Sequence, residues 1–384
     1  MIRKTLIVLV WGMLAACSSD VVTYPYYTYT EEEESVSPFT DFSFPLAEFQ
    51  KATTVLVHTP GEELSSQQGH TKVFDVPAMR EEHLQYMDVL RQQGIRVFEL
   101  TDVLRLLPAS LLRSTAQKIL ATDVCSMQKE ALNQYMIETP PLKALYFMHD
   151  QSFATPRGII IGKMKMPHRR PESDLLEICY RYLGGEVFYR VEGTESYLEG
   201  GDYMPFGTLA LIGEGARTNR MAIQELLDAD AIGHDTLVVV KDALHDIFQM
   251  HLDTYFNIID RQLVVLSQTR LNAYPGEEYY LSADVYTRAP GQTAYRLEQE
   301  DVSFVDLLQQ RGVTIIPISD EDQQLLASNF LCIAPRHIVA RENLSAAFRQ
   351  SMEENGVTVE WVKLDELVEG DGAAHCMTQV LGRQ

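Results

Sequence analysis

Short apolar runs alternate with helical segments from Thr53 onward, and this alternation restricts the fold more than any other feature of the sequence. Residues 55–57 have the composition of a strand, residues 79–93 carry apolar side chains at helical spacing, and residues 96–100 form a second strand-like run. Strands that alternate with helices in this way are typical of an α/β domain.

The same order returns near the end of the chain. Helices are predicted over residues 304–310 and 344–354, and strands over residues 313–316, 330–334 and 357–361. Further apolar runs occupy residues 144–147, 158–161, 209–212, 237–240 and 263–266. Residues 102–140 read as helical and interrupt the alternation. We therefore predict one α/β domain over residues 51–384, with a helical insertion and no repeat visible at residue level.

The first twenty residues have the features of an export signal. Arg3 and Lys4 precede an apolar run over residues 6–14, which is too short to span a bilayer, and small residues lead to Cys17. This pattern resembles a lipoprotein signal, so we predict a signal peptide over residues 1–16 and lipid attachment at Cys17. A buried helix that ends in cysteine and an uncleaved membrane anchor are the alternatives.

Residues 17–50 are acidic and rich in tyrosine, with four consecutive glutamates at residues 31–34. We interpret this segment as a flexible tether, because it has little apolar periodicity. The protein is then expected in the cell envelope, held on a membrane by lipid on Cys17, as a periplasmic, outer-membrane or cell-surface lipoprotein. Ser18 is compatible with outer-membrane sorting.

The formal charge of −22 argues against nucleic acid and anionic headgroups as partners, since both require a basic surface, and it favours a small cationic substrate. Four cysteines besides Cys17 include no CxxC pair, and their spacing does not indicate a disulfide for Cys125, Cys179 or Cys332. The apolar neighbours of Cys179 and Cys332 predict that both are buried. An oligomer is compatible with the sequence.

Polar clusters adjoin several of the predicted strands, at residues 147–150, 199–202, 251–253 and 375–376. Asp150 is placed at the end of an apolar strand, although it could also cap a turn. His251 and Asp253 would leave the same face of a strand, since they are two residues apart. Cys376 follows the last regular element in a flexible stretch.

Together these clusters suggest a site for a guanidinium group. A planar cation with five N–H donors is well held by carboxylates, which Asp150, Asp253 and Glu199 could supply. A thiolate from Cys376 could attack the guanidinium carbon, and His251 could donate a proton to the departing ammonia.

Two other interpretations have less support. A zinc site made by His245, His251 and Asp253 lacks both a cysteine pair and the HExxH spacing. Gly213 and Gly215 lie between a strand and a helix as in a dinucleotide-binding loop, but Thr218 occupies the place of the third glycine. We predict neither a metal nor an organic cofactor.

The motifs, taken in order, resemble those of the arginine deiminase family of guanidino-modifying enzymes. The resembling segments are residues 55–64, 141–150, 199–202 with 213–218, 250–254 and 375–378. The resemblance implies the pentein fold, a five-bladed α/β propeller, with a helical insertion shorter than in many cytosolic members. It also implies hydrolysis of arginine to citrulline and ammonia.

By this resemblance, Cys376 attacks the guanidinium carbon and forms a thiouronium intermediate. His251 protonates the leaving ammonia and then activates water, Asp150 and Asp253 clamp the guanidinium, and Glu199 assists its orientation. The implied substrate-binding residues are Phe147, Arg169 and Arg217, and the two arginines would hold a substrate carboxylate.

Three positions depart from the family pattern. Ala144 stands where asparagine is usual, His149 stands where arginine is common, and Asp371 stands where many members carry an arginine near the carboxylate. These departures bear on the substrate more than on the chemistry. They leave open that the substrate is another guanidino compound, such as a peptide-terminal or modified arginine. Amidino transfer to an amine and a catalytically silent binding lipoprotein are further alternatives.

Overall fold

A computed structural model describes residues 42–64, 73–120 and 144–384, together with residues 127–129, 131–132, 136 and 142 and a short strand pair, Val22–Thr23 with Thr28–Tyr29. The predicted signal peptide, Cys17, most of the predicted tether and Cys125 lie outside these residues. Within the described ranges, no helix has the length and apolar character needed to cross a membrane.

Strands and helices alternate throughout the domain. The first half contains β1 (Ala52–Val57), α1 (Val76–Gln92), β2 (Arg96–Glu99), α2 (Leu100–Leu106), α3 (Ala109–Leu120), β3 (Ser152–Thr155), β4 (Gly158–Ile161), α4 (Arg170–Tyr182), β5 (Val187–Arg190), β6 (Tyr203–Phe206), β7 (Leu209–Glu214), α5 (Arg220–Asp228) and β8 (Thr236–Asp242). The second half contains β9 (Phe256–Asp260), β10 (Leu263–Ser267), α6 (Gln268–Leu271), β11 (Leu281–Thr287), β12 (Arg296–Ser303), α7 (Phe304–Gln310), β13 (Thr314–Ile318), α8 (Asp320–Gln324), β14 (Leu331–Ala334), β15 (His337–Arg341), α9 (Ala346–Glu354), β16 (Thr358–Val362) and β17 (Gln379–Arg383).

These elements form five units with one strand order. In each unit the first strand pairs antiparallel with the second, and the second pairs parallel with the third. A helix connects the second strand to the third, because a parallel pair needs a crossover connection. The units are β17-β1-β2, β3-β4-β5, β6-β7-β8, β9-β10-β13 and β14-β15-β16, and β11 and β12 extend the third unit. The repeat is structural, and it confirms the α/β prediction.

One unit joins the two ends of the domain. Strand β17 pairs antiparallel with β1, so that Val380 lies opposite Val55. The segment before β1 also packs here: the Ser43 hydroxyl donates to the Arg383 carbonyl at 2.7 Å, and buried Glu48 forms an ion pair with Arg383. Packed structure therefore begins before residue 51, within the segment interpreted as tether, because Arg383 requires a buried acidic partner.

Two predicted strands are turns instead. Residues 144–150 form successive turns, in which Phe147 N–H donates to the Ala144 carbonyl at 3.0 Å. Asp150 therefore precedes β3 rather than ending a strand. His251 begins a tight turn in which the Thr254 hydroxyl and N–H both donate to the His251 carbonyl. This side-chain bond competes with strand pairing.

The described cysteines are buried free thiols. Cys179, in α4, and Cys332, in β14, are both buried, as their apolar neighbours predicted. Cys376 is 4% exposed, and both its N–H and its sulfur are hydrogen-bonded to the Asn329 side chain, so the expected flexible setting is wrong. The predicted insertion contains α2 and α3 in its described part, and both helices pack on the core beneath the second unit.

Replacement of Arg383 by methionine should destabilise the protein strongly. Arg383 is 3% exposed and also donates to the carbonyls of Gln50 and Cys332, both at 2.8 Å. Burial opposes ionisation of Glu48, but Arg383 lowers the pKa of Glu48 to about 2, so the variant would leave a buried carboxylate without its cation. We expect the free energy of unfolding in denaturant at pH 7 to fall by about 3–5 kcal/mol.

The matched control is Arg105→Met, since the Arg105–Asp102 ion pair is largely exposed and should contribute under about 0.5 kcal/mol. Equal losses in the two variants would contradict the interpretation. The contribution from Glu48 should be present above its unfolded pKa of 4.5 and be lost as the pH falls toward about 2, because its folded pKa is the lower one.

Candidate functional site

Five turns, one from each unit, converge on one buried site. Each turn immediately precedes the first strand of its unit, so the repeated strand order directs all five to a common place. Their polar side chains are at most 4% exposed: Asp150 before β3, Glu199 before β6, His251 and Asp253 before β9, Asn329 before β14 and Cys376 before β17. The structure thus brings together all five residues predicted to act in chemistry.

His251 is at the middle of this group. Its Nε2 lies 2.9 Å from Oε2 of Glu199, and its Nδ1 lies 3.9 Å from Oδ1 of Asp150 and 4.0 Å from Oδ1 of Asp253. Burial opposes the charged ring, but the bond to Glu199 and the nearby carboxylates raise its pKa to about 9. The imidazole is therefore protonated at neutral pH and can act as an acid.

The Glu199 turn fits closely around this ring. A Cβ atom at Gly201 would lie 2.7 Å from Nδ1 of His251, so a side chain there would displace the imidazole. Glu199 also accepts the Lys165 N–H at 3.0 Å and lies 3.4 Å from Nη1 of Arg217. Despite burial, the bond from His251 lowers the pKa of Glu199 to about 2, so this carboxylate stays ionised.

Asp150 and Asp253 each have one anchored oxygen and one open oxygen. Oδ2 of Asp150 accepts from Arg169 at 2.8 Å, and Oδ2 of Asp253 lies 2.8 Å from Nδ1 of His375. Both Oδ1 atoms are buried and have no hydrogen-bond partner among the described residues. A buried carboxylate oxygen without a donor is costly, so the pair is arranged to accept N–H groups from a ligand.

The two carboxyl groups differ in their electrostatic setting. Burial raises the pKa of Asp150, although Arg169 and His251 favour its ionised form. For Asp253 burial acts in the same direction, but the bond to His375 and the charges of His375 and His251 prevail and lower the pKa. A bound cation would favour the ionised form of both groups.

Cys376 lies beside Asp253, and its thiol donates to Oδ2 at 3.3 Å. Burial and the charges of Asp253 and Asp150 raise the pKa of the thiol well above its usual value. The resting group is therefore a neutral thiol. A cation bound between the two aspartates would remove this electrostatic penalty and favour the thiolate nucleophile.

Two further residues of the site received no predicted role from the sequence, although His375 belongs to one of the polar clusters found there. His375 holds Asp253, and its bonds to Asp253 and Glu48 raise its pKa to about 9 although burial opposes the charge. The Asn329 side chain contacts Cys376 at 3.1 Å. One signal could have identified Asn329: it is a polar residue directly before the predicted strand at residues 330–334, and the other polar clusters also adjoin predicted strands.

The predicted substrate-binding residues have different surroundings. Arg169 is buried, and all three of its side-chain nitrogens donate to Asp150, Glu172 or the Ala144 carbonyl, so here it orients Asp150. Arg217 is partly exposed and reaches Glu199. Phe147 packs closely on the loop before Cys376, since a Cβ atom at Gly372 would lie 2.5 Å from its ring. Their roles in substrate binding stay predictions.

The residues that depart from the family pattern lie around the same site. His149 packs on His375 with ring centroids 4.3 Å apart, and burial and the His375 charge lower its pKa to about 3, so it is neutral. Asp371 and Thr254 line an adjacent cavity of about 770 Å³. Much of the remaining lining is acidic, with Asp246, Asp320, Asp365 and Glu369.

The two alternative sites gain no support from the described residues. No group of three or more histidine, cysteine, aspartate or glutamate side chains is arranged there to hold a metal ion. Gly213 packs against Asp202, whose Oδ1 would lie 2.4 Å from a Cβ atom at that position. This glycine is thus explained by close packing between two turns.

Comparisons with known proteins give a consistent result. The arginine deiminase family model matches residues 105–383. Arginine deiminase of Halobacterium salinarum is 28% identical in a match over 63% of this chain and 65% of that protein, which is less than two thirds of its length. Arginine deiminase of Limosilactobacillus fermentum is 24% identical in a match over 88% of this chain and 98% of that protein.

Solved structures share the fold at low identity. A dimethylarginine dimethylaminohydrolase from Pseudomonas aeruginosa, complexed with citrulline, superposes with a TM-score of 0.57 at 18% identity, over 86% of this chain and 99% of that chain. The product-bound N-terminal domain of the cyanobacterial arginine dihydrolase ArgZ gives 0.59 at 13% identity, over 86% and 98%. The fold is the predicted pentein fold. Since the family model covers more than half of the residues, the chain belongs to the arginine deiminase family.

Proposed function

We propose that this protein hydrolyses a guanidinium group, with L-arginine as the substrate and L-citrulline and ammonia as products. One observation carries the proposal: Asp150 and Asp253 each have a buried carboxylate oxygen without a hydrogen-bond partner among the described residues, these oxygens lie 3.9 and 4.0 Å from Nδ1 of a protonated imidazole, and a thiol lies beside Asp253. A guanidinium supplies the missing N–H donors and a positive charge, and it presents an electrophilic carbon to the sulfur.

The reaction begins when the cation binds and Cys376 releases its proton to solvent. The thiolate forms a C–S bond to the guanidinium carbon, His251 gives its proton to one nitrogen, and the C–N bond breaks to release ammonia. Neutral His251 then takes a proton from water, and the hydroxide forms a C–O bond to the thiouronium carbon. The C–S bond breaks with its electron pair on sulfur, the proton of the added hydroxyl group passes to the expelled thiolate and restores the resting thiol, and the neutral ureido product leaves.

Two features bear on which guanidino compound binds. Arg217 is partly exposed beside Glu199 and is suited to hold a carboxylate, which supports free arginine. Asp371 and the acidic lining of the 770 Å³ cavity favour instead a peptide-terminal or modified arginine whose α-carboxyl group is masked, such as an arginine at the N-terminus of a peptide. Free arginine is the first candidate, and this second class is the alternative.

A panel of guanidino compounds tests the activity. Wild-type protein should release ammonia and the matching ureido product without an added amine, which also separates hydrolysis from amidino transfer. Cys376→Ala should lower turnover on the order of 10⁴-fold or more, since none of the other described thiols lies in the site. Cys179→Ala is the matched control, because that thiol is buried within α4, and it should keep the activity. Equal activity of the two variants would refute the proposal.

The alkaline limb of the pH profile of kcat/KM should reflect the loss of the proton from the His251 imidazole. Because its pKa is raised to about 9, the active protonated ring is present below that pH and is lost above it. Glu199→Gln removes a charge that stabilises the cation, so the limb should move to lower pH by about 1–3 units. Glu214→Gln, in a surface ion pair with Arg220, should leave the limb in place. A limb unmoved by Glu199→Gln would exclude His251 as the titrating acid.

We also propose that the protein is a lipid-anchored component of the cell envelope. The support is the sequence before residue 18, in which a short apolar run ends in small residues and Cys17. In cells that express the full chain and are fed labelled palmitate, wild-type protein should incorporate the label and be cleaved before Cys17, and Cys17→Ser should remain unlabelled and uncleaved. Wild-type protein without label would contradict the anchor.

A further inference from the structure

The fifth turn of the site carries a neutral amide where the other four carry ionisable groups. Nδ2 of Asn329 donates to Sγ of Cys376 at 3.1 Å, and the side chain is 1% exposed. We propose that Asn329 is a catalytic residue whose amide N–H stabilises the negative charge on the Cys376 sulfur. The proposal rests on the proposed function, in which that sulfur attacks the substrate.

Hydrogen bonds to the backbone fix the orientation of the amide. Oδ1 of Asn329 accepts the N–H of Ala373 at 2.8 Å and the N–H of Cys376 at 3.1 Å. If the amide were rotated by 180°, its NH₂ group would face these two backbone donors, and both would lose their acceptor. Nδ2 must therefore point toward the sulfur, and one carboxamide both holds the cysteine loop and contacts its thiol.

The main chain of Asn329 holds the donor in place. Its carbonyl accepts the N–H of His375 at 3.1 Å, and its own N–H donates to the Leu326 carbonyl at 3.0 Å. Since both the side chain and the backbone are anchored, the donor needs no rearrangement when charge develops on sulfur. Fixed donors of this kind stabilise an anion more than mobile ones do.

The charges around the sulfur explain the need for this donor. Asp253 and Asp150 disfavour the thiolate, whereas the bond from Asn329 favours it. When a guanidinium occupies the open aspartate oxygens and the thiol loses its proton, the bond from Nδ2 can remain. The same N–H then acts twice, first on the attacking thiolate and later on the thiolate expelled from the intermediate.

A neutral donor also suits a cationic substrate. Lysine or arginine at position 329 would stabilise the thiolate but would compete with the guanidinium for Asp150 and Asp253 and repel it. Aspartate would place another carboxylate against the sulfur. An amide favours the thiolate without either penalty, which accounts for an asparagine at this turn.

Asn329→Asp and Asn329→Ala test the proposal. The aspartate variant keeps the shape and the acceptor for both backbone N–H groups but replaces the donor with a charge. Alkylation of Cys376 by iodoacetamide, followed against pH by mass spectrometry, should have its midpoint about 1 unit higher in Asn329→Ala and higher still in Asn329→Asp. We expect kcat to fall about 10–100-fold with KM changed less than about threefold.

Asn355→Asp, at the end of α9, makes the same chemical change away from the sulfur and should leave the alkylation midpoint and kcat unchanged.

If Asn329→Asp folds and its alkylation midpoint matches that of wild type, Asn329 only supports the loop and the proposal is wrong. The alkylation assay needs no turnover. Wild-type protein that turns over no guanidino compound would therefore refute the proposed function, and the midpoints would still decide the role of Asn329.

Discussion

The pairing of β17 with β1 is the interaction on which the site depends. Cys376 lies three residues before β17, so the sulfur reaches the site only when the last strand joins the first. Arg383 reinforces this junction through Glu48 and through the carbonyls of Gln50 and Cys332. Fold and site are thus coupled, because the same strand that completes a sheet brings Cys376, the proposed nucleophile, into the site.

The site is a buried, negatively charged group of residues whose carboxylates are held in place by neighbouring hydrogen-bond donors. Each of its three carboxylates has one oxygen or more fixed by a cation or an N–H donor: Glu199 by His251, Asp150 by Arg169 and Asp253 by His375. The anchors determine where the remaining oxygens point. Burial makes these negative charges costly, and the site residues compensate them only in part. A cationic ligand would supply the missing positive charge, and it would also favour loss of the proton from Cys376.

Much of the fold and most of the site could be predicted from sequence, for identifiable reasons. The helix at residues 304–310 has the bounds that apolar spacing predicted. The site residues could be found because they adjoin strands, although the chain around Asp150 and His251 forms turns. Apolar content alone does not distinguish a buried turn from a strand, since local bonds such as that from Thr254 to His251 decide between them.

Other features depend on contacts between distant segments and could not be predicted. The five units share no residue-level repeat, so the role of Asn329 becomes visible only when its turn is compared with the other four in space. The engagement of Arg169 with Asp150 and Glu172 likewise depends on side-chain orientation. The family resemblance alone implied that Arg169 would hold a substrate carboxylate.

The high pKa of the resting Cys376 thiol has a consequence for oxidative chemistry. Peroxides and disulfides react with thiolates far faster than with thiols, so a cysteine kept protonated by neighbouring carboxylates resists conversion to sulfenic acid or a mixed disulfide. The enzyme would then be most vulnerable to oxidants while it is at work. By the proposed function, the substrate that favours the thiolate also binds against the sulfur. Contact between the thiolate and an oxidant would therefore be limited to the turnover cycle.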